Sequence, residues 1–170
     1  LNNVNVERLA NEAKLLRSAP TTAQRVNRIE VAWNTDDSRP QMQAVVEYEW
    51  GQVTWDCDSP AFMGGEGRSP GPLHYCIMGF AACFTATYAT AAATHNISLK
   101  KLSVLAECEL DFSKVFGVTE DPIVKSATFT INVQADATRA QLEELKNEAL
   151  VHCPGVFMMQ HAIPVTARIA

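Results

Sequence analysis

Leu73 to Thr94 is an almost uninterrupted apolar stretch, rich in Ala and Thr, with His74 near its start and few Leu or Val. Pro72 stands at its head, where the N–H that proline lacks would have no helical partner anyway. Asn96 is placed to end the helix. A helix that is apolar on nearly all sides belongs at the centre of a protein rather than on its surface. A membrane span usually needs ~20 predominantly apolar residues of greater hydrophobicity than these. The stretch therefore reads as a buried helix around which the rest of the chain must be arranged.

The flanking segments alternate with a period of two. Ile29, Val31 and Trp33 alternate with polar or small residues over Asn27 to Trp33, as in a half-buried strand. Asn34 to Pro40 is a turn, and Gln43 to Trp50 and Gln52 to Cys57 read as two strands joined at Gly51. Ser59 to Pro72 is a Gly/Pro loop leading into the apolar helix. After it, Leu99 to Phe112 and Ile123 to Val133 are strand-like. Asp136 to Thr138 caps a second helix, Arg139 to His152, with Leu142, Leu145, Ala149 and Leu150 on one face. Cys153-Pro154-Gly155 breaks that helix, Val156 to Gln160 is a short helical turn, and Ile163 to Ile169 is a final strand. At the N-terminus, Val6, Leu9, Ala13 and Leu16 have helical spacing, and Pro20 ends that helix. The order predicts an α+β fold with antiparallel sheet rather than a regular βαβ alternation. It predicts a helical arm over residues 1–20 and one domain over 21–170.

The net charge of −5, with no block of like charges, argues against a nucleic-acid partner. No signal peptide or membrane segment is expected, which points to the cytoplasm. The five cysteines, Cys57, Cys76, Cys83, Cys108 and Cys153, are odd in number and irregularly spaced, so no disulfide framework is expected. No CxxC pair or His/Cys cluster has zinc-ligand spacing, and neither a metal nor a cofactor is expected.

Cys83 lies inside the apolar helix, where a small core residue is the plain reading. Cys153 stands at a helix end, between His152 and Pro154, a kind of chain break that often exposes a side chain. The negative end of the helix dipole does not favour a thiolate there. Cys76 and Cys83 share a helix face, but at seven residues apart their Cα atoms are ~10.5 Å apart. A disulfide needs ~7 Å or less. A catalytic partner for Cys83 must come from elsewhere, and Cys153 is the candidate. Cys57 and Cys108 fall on strand patterns and read as core or sheet-face residues.

The Gly-rich loop, Gly71-Pro72, the Gly79-Phe-Ala-Ala-Cys83-Phe84 run and a Cys153-Pro154 some seventy residues later together resemble the OsmC/Ohr family over roughly Arg28 to Ala170. The resemblance implies an intertwined homodimer with two central helices flanked by antiparallel sheets, and active sites at the subunit interface. It implies that Cys83 attacks an organic hydroperoxide and that Cys153 resolves the resulting sulfenic acid as a disulfide. A small dithiol or lipoyl-type reductant then restores both thiols. An arginine after the first strand holds the attacking thiolate in that family, and Arg39 has the matching spacing. The family's glutamate near the start of the central helix is replaced here by Leu73, followed by His74. Glu66 is the candidate substitute, and Arg68 a second cation. Phe62, Met63, Phe80, Phe84, Met158 and Met159 are candidate walls of an apolar substrate pocket. The expected function is thiol-dependent reduction of organic hydroperoxides. Loss of the glutamate supports a rival expectation: a non-catalytic or redox-sensing relative that binds a small apolar or sulfur-containing ligand.

Overall fold

The computed structural model describes residues 1–169. Four helices, α1 (Val6–Ser18), α2 (Pro72–Thr94), α3 (Arg139–His152) and α4 (Pro154–Gln160), accompany five strands. The strands are β1 (Val31–Trp33), β2 (Met42–Tyr48), β3 (Gly51–Cys57), β4 (Leu99–Leu110) and β5 (Val124–Ala135). The class is α+β with antiparallel sheet, as the pattern predicts. The chain divides into two compact units, Lys14–Cys76 and the remainder.

In the Lys14–Cys76 unit, β1, β2 and β3 form an antiparallel meander with Val31 opposite Ala44 and Met42 opposite Cys57. Gly51 turns β2 into β3, so strand pairing runs up to Tyr48 opposite Gly51. The loop after β3 folds back on itself. A Cβ at Gly65 would lie 2.0 Å from the Ser59 carbonyl oxygen, so only glycine fits there.

In the other unit, β4 and β5 form a long antiparallel pair in one register from Lys101–Gln134 to Glu109–Ser126, with a shift at each end before Leu99–Ala135 and Leu110–Val124. One face carries Leu102, Val104, Phe129, Ile131 and Val133, which pack on a core of Phe84, Tyr88, Ala91, Ala92, Leu145, Ala149, Cys153 and Val156. Helices α2 and α3 thus supply the apolar layer that covers this sheet face. Thr138 caps α3 in a reciprocal box with Gln141, and Asn96 ends α2 in the left-handed region at φ 56°. The Asn2 amide bridges the Ile97 carbonyl at 2.8 Å and the Leu99 N–H at 2.9 Å, tying the N-terminus to the start of β4.

Three expectations need correction. The strand expected over Asn27 to Trp33 is formed only at Val31–Trp33. The strand expected over Ile163 to Ile169 does not form; Val165 is 87% exposed and the segment pairs with nothing among the described residues. Alternation shows that a segment suits a pleated half-buried surface, but a strand exists only where a neighbour supplies its hydrogen bonds. Finally, α2 is not enclosed as expected. It is long and apolar enough to cross a membrane, yet only 28% of its most apolar window is buried. Phe84, Tyr88, Ala91, Ala92 and Ala93 face the core, while Met78, Gly79, Ala82 and Ala86 face outward.

Candidate active site

Cys83 sits midway along α2, one residue before the core anchor Phe84. Its counterpart comes from the break between α3 and α4. Cys153 serves both helices: its N–H donates to the Ala149 carbonyl at 3.0 Å, ending α3, and its carbonyl accepts from Phe157 at 3.0 Å, beginning α4. Pro154 follows at the first position of α4, where its fixed φ suits a helix start. This double role turns the Cys153 side chain inward. It is 1% exposed and sits in the core cluster rather than in solvent.

Cys83 packs against the core cluster that includes Cys153, close enough for the Cys153 thiol to act on its proton affinity. Burial pushes the Cys83 thiol above its ordinary pKa, and the Cys153 thiol raises it further by favouring the form that keeps the proton. The Gly155 N–H works in the opposite direction, because it donates to the Cys83 sulfur. The dipole of α3 is therefore only part of the local field, since the Gly155 N–H in the first turn of α4 acts on the Cys83 sulfur. Burial outweighs the single amide donor, so the net shift of the Cys83 thiol is upward.

Gly155 is a site residue that sequence reasoning missed, having taken it as a helix breaker. A Cβ there would stand 3.2 Å from Cys83 Cβ, 3.5 Å from Cys83 Sγ and 3.5 Å from Phe80 Cδ1. The available signal was a glycine two residues after a cysteine at a proline-started helix. Phe80 lies beside Gly155 and Cys83, while Phe84 is core, its ring tilted against Phe129 with centroids 5.0 Å apart. Met158 is 54% exposed and Met159 half-buried on α4.

The charged candidates gather in the Lys14–Cys76 unit. Trp33, Arg39, Gln41, Asp58, Glu66 and Arg68 line a polar cavity of about 560 Å³. Phe62 and Met63 lie in the same unit, the first exposed and the second half-buried. The Arg68 guanidinium donates to the Asp37 carbonyl at 2.7 Å and to the Arg39 carbonyl at 3.4 Å, which makes it a brace for the turn after β1. The Arg39 guanidinium lines this cavity, and its charge is among the causes that lower the Asp36 carboxyl, after the Ser38 hydrogen bonds. Asp58 is another residue that the sequence did not single out. It is 2% exposed; one carboxylate oxygen accepts the Arg68 N–H at 2.9 Å and the other has no partner among the described residues. Leu73 is exposed, and the His74 Nδ1 accepts the Gly71 N–H at 3.1 Å, which gives that imidazole a capping task at the start of α2. No three His, Cys, Asp or Glu side chains among the described residues converge as a metal site.

The OsmC-like protein family model matches residues 65–168. No curated protein matches the chain. Among solved structures, an OsmC-like protein from Mycoplasma pneumoniae is 20% identical, with 81% of this chain and 89% of that one covered and a TM-score of 0.60. An organic hydroperoxide resistance protein from Legionella pneumophila is 21% identical, with 81% and 92% covered and a TM-score of 0.52. One from Vibrio cholerae, with captopril bound in one of its active sites, is 18% identical, with 81% and 87% covered and a TM-score of 0.52. These likenesses are in fold, and the family match spans well over half of the sequence. The chain that carries the α2 cysteine and the Cys-Pro junction belongs to the OsmC/Ohr family.

Proposed function

We propose that this protein is a thiol-dependent peroxidase that reduces organic hydroperoxides. The observation that carries the proposal is the contact between the Cys83 and Cys153 thiols within one unit of an OsmC/Ohr-family chain. The Cys83 thiolate attacks the terminal oxygen of R–O–OH, the O–O bond breaks, and the alcohol leaves with a proton. Cys83 is left as a sulfenic acid. The Cys153 sulfur then attacks the sulfenic sulfur and expels water, forming a disulfide. A small dithiol of lipoyl type exchanges with that disulfide and restores both thiols. Having the resolving sulfur already in place limits the lifetime of the sulfenic acid and protects it from irreversible oxidation.

The thiolate needs a cation, and in this proposal Arg39 supplies it, with Glu66 orienting the guanidinium in place of the family glutamate. The proposal also includes a second copy of the chain. One chain exposes 12742 Å². A chain of 18.6 kDa folded as one globule, or as two separate ones, is expected to expose ~8,000–10,000 Å². The outward face of α2 and the unpaired apolar segments at Val26–Ile29 and Ile163–Ile169 are what such a partner would cover. The free cysteines fit a reducing compartment, and the proposal places the protein in the cytoplasm.

The test is consumption of cumene hydroperoxide by the pure protein with dithiothreitol as reductant. Cys83→Ser is expected to abolish consumption, and Cys153→Ser, assayed without dithiothreitol, to consume one equivalent of peroxide and stop with Cys83 oxidised and no intramolecular disulfide. If Cys83→Ser consumes peroxide as fast as the parent, the proposal fails. One observation favours a second reading: the raised Cys83 thiol and the absence of the family glutamate suit a protein that binds a small apolar or sulfur-containing ligand or senses oxidants without turnover. Peptide mass mapping after mild peroxide separates the two. A Cys83–Cys153 disulfide with continuing peroxide consumption supports the peroxidase, whereas a disulfide without turnover supports the sensor and unreacted thiols support the binder.

A further inference from the structure

Two cysteines outside the candidate active site stand where the end of β3 is held against the start of α2. Cys57 is the last residue of β3 and Cys76 lies in the opening turns of α2; both belong to the Lys14–Cys76 unit. Several contacts clamp the end of the strand to the start of the helix. The Asp58 N–H donates to the Pro70 carbonyl at 3.3 Å, and the Gly71 backbone approaches so closely that a Cβ there would stand 3.4 Å from the Asp58 carbonyl oxygen. Tyr75 stacks on Trp55 with ring centroids 5.5 Å apart, and its hydroxyl donates to the Asp56 carbonyl at 2.6 Å.

Cys57 and Cys76 both stand next to this clamp. Trp55 and Cys57, two apart on a strand, project from the same face of the sheet, and Cys76 directly follows the Tyr75 that stacks on Trp55. The clamp therefore holds the backbone that carries Cys76 beside the end of β3 that carries Cys57. The two thiols feel one another: the charge of Cys76 is among the causes that raise the Cys57 thiol, after burial and Asp58. Cys76 is exposed and Cys57 half-buried, so one member of the pair is open to a reagent in solution and the other stands behind it.

We infer that Cys57 and Cys76 form a second dithiol, independent of Cys83 and Cys153, that exchanges with low-molecular-weight disulfides. The exposed Cys76 thiolate attacks one sulfur of R–S–S–R; that S–S bond breaks and R–SH leaves with a proton. The product is a mixed disulfide on Cys76. The Cys57 thiol loses its proton to solvent and attacks the Cys76 sulfur, expelling the second R–SH. Two protein thiols are oxidised to one protein disulfide while R–S–S–R is reduced to two R–SH, and excess R–SH reverses the sequence. The disulfide covalently fixes the start of α2 to the end of β3.

The test uses a Cys83→Ser/Cys108→Ser/Cys153→Ser protein, which keeps only Cys57 and Cys76, exposed to glutathione disulfide. Intact mass is expected to fall by two hydrogens, with a Cys57–Cys76 cross-linked peptide on digestion. Adding Cys57→Ser is expected to trap glutathione on Cys76. The same digest of the oxidised wild-type protein guards against misfolding of the triple variant and should contain the same cross-linked peptide. A stable glutathione adduct on Cys76 with Cys57 still present, or no reaction at either thiol, would overturn the inference. Either outcome leaves the peroxidase proposal untouched, since that reading is tested at Cys83 and Cys153.

Discussion

Gly155 determines how closely α4 can approach the middle of α2. An alanine there places its methyl 3.2 Å from Cys83 Cβ, which is fixed to the α2 backbone and cannot swing away. Overpacking of this kind costs about 1–3 kcal/mol, against at most about 1 kcal/mol gained from better helix propensity. Gly155→Ala is therefore expected to destabilise the protein by about 1 kcal/mol net in urea denaturation, and to slow closure of the Cys83–Cys153 disulfide. The Cys83 thiol itself yields a pH prediction. Burial and Cys153 raise its pKa, so at neutral pH the neutral thiol dominates and the nucleophilic thiolate is the minor form. The rate of alkylation by iodoacetamide at Cys83 should climb by about tenfold per pH unit from neutral to the raised pKa. A flat profile between pH 7 and 9 would instead reveal a cation that lowers the thiol, and Arg39→Ala should then restore the slope.

At the scale of elements, the α3 cap sets the register of the helix whose far end presents Cys153. Thr138 accepts from the Gln141 N–H, and Gln141 accepts from the Thr138 N–H at 2.9 Å. Thr138→Ala is expected to lower stability by about 1 kcal/mol, read as a shift in denaturation midpoint with unchanged slope. Both halves of the box are in the sequence, a threonine followed three residues later by a glutamine. The β4–β5 pair was equally readable, because its inward residues Leu102, Val104, Phe129 and Ile131 alternate without interruption. The segments before Val31 and after Ala162 carry a similar alternation but form no strands, since no neighbour offers them backbone partners within the chain.

For the whole molecule, α2 poses the main question. Its outward side presents Gly79, Ala82 and Ala86, small residues that would let a second α2 backbone come close, beside Met78 at 48% exposure. Sedimentation equilibrium is expected to give twice the mass of one chain across the accessible concentration range. Ala82→Arg should shift that equilibrium toward monomer and expose apolar surface to a hydrophobic dye. A wild-type chain that sediments as a stable monomer would falsify the two-copy proposal.

The sequence by itself determined the local choices: where helices begin and end, which strands have an apolar face, and that one long helix carries a cysteine at its middle. These follow from capping residues, proline, and periods of two and 3.6, all of which act over a few neighbouring residues. Only the tertiary structure decided which sulfur meets which. The inward turn of Cys153, the close approach of Gly155, the buried Asp58 and the clamp of the start of α2 on the end of β3 all depend on contacts between elements distant in sequence. A short-range pattern fixes an element's faces but not the identity of the element that will cover each face.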